Sequence, residues 1–239
     1  PGDGETLSLG AQTNGSYYQS YNASYSTNWF GGKRPIQFTV GAYFSKQTDV
    51  NSNFYNSASM YNYYYNYYGY GSSYNYNYEN YLDPDKYVEL FGVSVGWGKR
   101  LRWPDDYFQL SAELSYQRYM LKNWSYFIVS DGNCNNLNLS LSLSRTSTDN
   151  QLFPRRGSEF MASVTVTPPW SKFQKKDYEH LATDRNSPNY KDEQQEKYRW
   201  VEYHKWKFKA RMFTALTNGQ KCLVLMTRAE MGLLGSYNK

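Results

Sequence analysis

Two histidines, two cysteines, two close aspartate pairs and one basic run are the groups in this sequence whose chemistry could go beyond packing. His180 and His204 lack the spacing of a metal pair and have no Cys or carboxylate company. His204 shares a face with Trp206, which suits a packed or interfacial imidazole better than a ligand. Asp83-Pro84-Asp85 and Asp105-Asp106 have the proximity that a general acid–base pair requires. Both read better as turn residues beside strands, where Asp and Pro set the local backbone. Cys134 falls in a long loop and Cys222 near a short turn, at opposite ends of the fold, so no disulfide is expected. No G-x-S-x-G, glycine-rich phosphate loop or H-E-x-x-H occurs. The sequence therefore offers no catalytic residue, no cofactor-binding residue and no metal ligand, and the expectation is a protein that is not an enzyme and uses no cofactor.

The basic run is Lys205, Lys207, Lys209 and Arg211, every second residue of one segment. On a strand these share one face. That face could steer anionic solutes. It could equally pair with Glu230 on the next strand and with Glu113 across a lumen, and structural pairing is the favoured reading. A net charge of +5 over 239 residues is too weak and too dispersed to argue for nucleic acid.

What positions these groups is a period of two. Phe108, Leu110, Ala112, Leu114 and Tyr116 oppose Gln109, Ser111, Glu113, Ser115 and Gln117. Leu137, Leu139, Leu141 and Leu143 oppose Asn138, Ser140, Ser142 and Ser144. The segments Ile36–Ser45 and Phe160–Thr167 behave alike, and five weaker ones complete the set. One of these ends at Asn14-Gly15, a hairpin dipeptide. The segment through Trp200, Glu202, His204 and Trp206 reads as one strand. Nine strands result, most of them long enough to cross a bilayer at about 9–11 residues each.

The mean hydropathy of −0.83 does not oppose this, because a membrane strand carries apolar side chains only at alternate positions. No run of 18 apolar residues exists to form a membrane helix. Connections are short at 27–34, 98–106, 150–157 and 217–221, and long at about 47–86, 121–136 and 168–197. Short turns at one end and long loops at the other are how outer-membrane barrels are built. Aromatics such as Trp29, Phe30, Trp97, Trp103 and Trp170 gather at strand ends, like the girdles at membrane–water interfaces. A large β-sandwich with aromatic edges is the competing architecture.

More than half of Tyr61–Tyr81 is tyrosine, interleaved with Asn, Gly and Ser. This reads as a low-complexity surface loop, or as an outer patch for a surface partner, since Tyr gives contact area at small entropic cost. An odd strand count does not fit a closed bacterial barrel, and Pro1 stands where a Met would start a chain. Both point to part of a larger barrel.

Three segments resemble the BamA-type outer-membrane assembly factors. Asn28-Trp29-Phe30-Gly31-Gly32-Lys33-Arg34-Pro35 looks like their (E/N)PW-x-GG-x-P turn. Ser144–Phe160 resembles their D-x-x-x-FP-x-x-G turn. Arg228–Lys239 resembles the strand rising into their large sixth extracellular loop. The resemblance covers residues 1–239 as one partial barrel domain, the third to eleventh of sixteen strands, all-β and antiparallel.

It implies a Gram-negative outer-membrane location and a role in folding and inserting other β-barrel proteins through a lateral seam. The implied partners are unfolded outer-membrane clients, accessory assembly lipoproteins and outer-membrane lipid. POTRA domains, the closing strands and the sixth-loop motif lie outside this chain, so no functional residue of the family carries onto it. A polypeptide secretion pore, a passive porin and a surface adhesin are the alternatives.

Overall fold

The computed structural model describes residues 4–32, 36–50, 82–174, 180–217, 219 and 222–237. The Tyr61–Tyr81 tract and Lys33–Pro35 lie outside the described residues. Nine strands form: β1 Thr6–Asn14, β2 Tyr18–Thr27, β3 Ile36–Val50, β4 Leu82–Arg100, β5 Phe108–Lys122, β6 Gly132–Thr146, β7 Gly157–Val166, β8 His204–Ala215 and β9 Val224–Gly235. Two short helices, α1 Trp170–Gln174 and α2 Tyr190–Lys197, lie between β7 and β8. The strands build a single antiparallel sheet in chain order. Among the described residues β1 and β9 pair only inward, with β2 and β8. The sheet is therefore open.

The period of two fixes the register. Phe38, Trp97, Ala112, Leu141, Val164, Trp206 and Leu233 are partners in turn from β3 to β9. One residue along each strand, Gln37, Gly98, Ser111, Ser142, Ser163, Lys207 and Gly232 form the matching row on the other face. A slip of one residue in any strand would put its apolar set among the polar rows. Gly92 leaves room for a neighbour: the Tyr43 ring from the paired position lies where a Cβ would stand.

Several boundaries differ from the sequence reading, among them the long 47–86 loop, whose residues 47–50 extend β3. Gly132–Asn136 belongs to β6, so the β5–β6 loop is shorter than 121–136, and Cys134 sits in a strand opposite Tyr119. Asp83-Pro84-Asp85 lies inside β4 rather than in a turn. The register there jumps from Thr48↔Tyr87 to Val50↔Leu82, and the bulge holds the proline, which has no N–H to give a ladder. Trp200–Tyr203 precedes β8 instead of joining it. Cys134 and Cys222 are both free, at opposite ends of the sheet, as expected.

Candidate membrane-spanning face and its two rims

One face of the sheet is apolar and nothing in the described residues covers it. Val95, Leu114 and Leu141 are 44%, 50% and 47% exposed although they sit mid-strand in the middle of the sheet. Among the described residues the buried apolar side chains are Leu121, Trp124 and Val129, all at the long-loop end. A sandwich would need a second sheet over this face, and these strands form only one. An apolar surface this continuous calls for an apolar medium.

The height of the face fits that medium. On β4 it is bounded by Glu89, ion-paired to Lys46 at 2.8 Å, and by Lys99. Between them stand Phe91, Val93, Val95 and Trp97. Ten rises of about 3.4 Å, tilted by about 40°, give about 26 Å, close to the apolar band of outer-membrane barrels.

The opposite face carries Ser, Gly, Asn and Gln rows and the basic stripe of β8. Arg211 meets Glu159 of β7 at 3.0 Å, and Lys209 meets Glu230 of β9 at 3.6 Å. Arg228 also binds Glu230, at 2.7 Å. The expected pairing with Glu230 is thus present. Pairing with Glu113 is not: that residue stands on β5 between Gly96 and Ser140, three strands away. Lys205 and Lys207 have no ion-pair partner among the described residues. Charges held mid-strand on this face need water beside them, which a lumen provides.

At the short-turn end, two motif turns are built by glycine and by side-chain caps. In the first, Phe30–Gly32 forms a 3-10 turn with Gly31 and Gly32 at φ 79° and 67°, and the Phe30 ring stacks on Phe38 at 4.5 Å. In the second, between β6 and β7, the Asp149 carboxylate accepts the amides of Arg155 at 2.9 Å and Arg156 at 3.2 Å. Asn150 accepts the Leu152 amide at 2.9 Å. Arg145 then ties this turn to the preceding one. Its guanidinium reaches Asp105 at 2.8 Å and donates to Ser147 at 2.7 Å and Ser158 at 3.0 Å. Asp105 is thus committed to an arginine rather than to a second carboxylate.

Asp149 lies outside the spanning strands, and the Arg156 and Arg155 amides hold its carboxyl below the usual carboxylate range. A depressed folded value means that its contribution is present above the ordinary range and is lost as pH falls through the folded value. Amide protection at Arg155 and Arg156 is therefore expected to hold at neutral pH and to drop only in acid, and to be low at every pH in Asp149→Ala. Protection in the variant equal to wild type at neutral pH would refute this.

At the long-loop end the β7–β8 connection folds back on the sheet. β7 is shorter than β6, which leaves the upper edge of β6 free. Residues 199–201 fill it: the Asn135 amide donates to the Arg199 carbonyl at 2.8 Å, and the Val201 amide to Asn135 at 2.9 Å. Trp170 and Trp200 rings pack at 4.3 Å, and the Glu202 carboxylate accepts the Ser171 hydroxyl at 2.8 Å. A cavity of about 710 Å³ remains beneath, walled by Tyr119, Leu121, Phe127, Cys134, Trp200 and Val201. Sequence reasoning missed this docking. Its only signals were the helix-forming run of α2 and the tryptophans flanking a polar segment.

A family model described as the Omp85 superfamily domain matches residues 1–239. The chain belongs to the Omp85 superfamily. This Omp85 domain is also similar to the solved structure of BamA from Haemophilus ducreyi lacking POTRA domains 1–3. The TM-score is 0.53 at 14% identity, over 99% of this chain and 36% of that one. At that identity the likeness is one of fold, and the Omp85 chain spans about a third of the matched chain. No curated protein matches it. Among the described residues no three His, Cys, Asp or Glu side chains gather as a metal site.

Proposed function

We propose that this Omp85 domain is barrel wall of an outer-membrane insertase, which folds other β-barrel proteins and delivers them into the bilayer. The observation that carries the reading is the uncovered apolar face, about one bilayer high, on an open sheet whose whole length matches the superfamily. Its partners on this reading are unfolded barrel clients, accessory lipoproteins and outer-membrane lipid. Such a role needs no catalytic side chain. The driving force is the client's own folding, and a strand edge with unpaired N–H and C=O groups recruits the incoming strand. The fold shared with BamA accords with this reading.

The test uses the protein that carries this chain, at its natural length, in lipid vesicles. An unfolded outer-membrane barrel is added, and its conversion to the heat-modifiable folded band is timed. Faster folding than in empty vesicles, with low and flickering conductance, is expected. Folding no faster than in empty vesicles, with steady high conductance, would favour a porin and overturn the reading. Lys205 and Lys207 on the lumen face are the observation that keeps a polypeptide secretion pore as a second reading.

A further inference from the structure

We infer that the short-turn rim between β4 and β7 docks the headgroups of anionic phospholipids in the adjoining leaflet. The inference rests on the membrane-spanning reading above and adds a ligand class to it. Lys99 occupies the apolar face, paired with Ile36 and Leu110, one rung before the last of the β4–β5 ladder. An ammonium there reaches headgroup depth while its stem stays in the apolar band. Arg102 in the next turn and Arg155 and Arg156 in the β6–β7 turn are exposed too. None of the four has an ion-pair partner among the described residues.

The acids at this rim are outnumbered. Asp105 is engaged by Arg145, and Asp149 by the backbone amides of its own turn. Asp106 and Asp149, which keeps its charge while it accepts amides, are left against four cations. The Asp105–Arg145 bridge also joins the two turns, so their cations form one platform. Trp103 and Phe153, 83% and 81% exposed in the same two turns, are placed as interfacial anchors beside them. Aromatic anchors alone would suit any lipid. The surplus of unpaired cations selects for phosphates whose charge no choline or ethanolamine offsets.

The protein of natural length is placed in nanodiscs of zwitterionic lipid with and without phosphatidylglycerol. Retained lipid is counted by native mass spectrometry. Preferential retention of phosphatidylglycerol is expected, weakening as salt rises because exposed charges are screened. In the variant K99Q/R102Q/R155Q/R156Q the preference should fall by roughly fivefold for each cation that engages a headgroup. The lumen-face variant K205Q/K207Q should keep the wild-type preference.

Equal preference in the rim variant and wild type would overturn the proposal, as would an equal loss in the lumen variant. Should the rim variant fail to fold, wild type decides: a preference indifferent to salt overturns the proposal. Failure to enter either bilayer would refute the membrane reading itself, whereas entry with no lipid preference refutes this inference alone.

Discussion

Leu141→Arg is expected to prevent stable assembly in a bilayer, while Ser142→Arg, one residue along the same strand, is tolerated. Leu141 stands between Ala112 and Val164 on the apolar face, and nothing among the described residues covers it. A guanidinium at that depth would face lipid, at a cost of about 2–4 kcal/mol. That is a large share of a fold's whole margin of about 5–15 kcal/mol. Ser142 stands between Ser111 and Ser163 on the opposite face, where a long polar side chain reaches water. Ser142 accepts a hydrogen bond from Ser111 through its backbone carbonyl at 3.4 Å, which a change of side chain leaves in place.

Refolding into vesicles, followed by urea titration of the heat-modifiable band, reads the difference. A larger loss at 142 than at 141 would show that the faces have been exchanged. An equal small loss at both would point to a structure in which neither face meets lipid.

This pair of residues also marks what the sequence disclosed. Alternation such as Leu139-Ser140-Leu141-Ser142 exposes strand, face and register together, because a period of two leaves only one way to keep the apolar sets aligned. The nine strands and their order followed from it. Turn residues were legible where the local chemistry is self-contained, as at Asn14-Gly15 and Asp149–Gly157.

Tertiary docking was not legible. Nothing in the local pattern of 199–203 says that it stops short of β8 and lies along Asn135. That depends on β7 being shorter than β6, a comparison between strands far apart in the chain. The fate of Glu113 was hidden for a related reason. Alternation gives the face a charge occupies, but not which strand supplies its partner. Glu159, on the strand actually beside Arg211, was the acid to consider. The rim cations were visible as residues. Their surplus became apparent only once the ion pair between Asp105 and Arg145 was seen.

The glycine closing the second motif turn gives the other large effect. Gly157→Ala is expected to destabilise the fold far more than Gly31→Ala, although both positions have positive φ. At Gly31, φ is 79° and nothing lies within 4 Å of an added Cβ, so only left-handed strain is added, about 1–2 kcal/mol. At Gly157, φ is 116°, a region costing about 1–3 kcal/mol for other residues. An added Cβ there would also clash with the Ser147 carbonyl oxygen and stand 2.8 Å from the Thr148 Cα.

Those atoms are backbone and cannot swing aside. The Ser147 amide is tied to the Ser158 carbonyl at 2.9 Å, and the Asp149 amide to Arg156 at 3.2 Å. Relief therefore means parting the two arms of the turn. Arg145 holds both arms through Ser147 and Ser158, so parting them also loosens its grip on Asp105 and the link to the β4–β5 turn. A combined cost above about 3 kcal/mol follows, in the range reserved for strain and lost networks. Unfolding midpoints of the two variants, measured side by side in the same vesicles, decide it. Equal shifts would mean that strain alone acts and that the turn opens freely. A larger shift for Gly157→Ala, with the Arg155 and Arg156 amides losing protection before the strands do, is the result that the geometry requires.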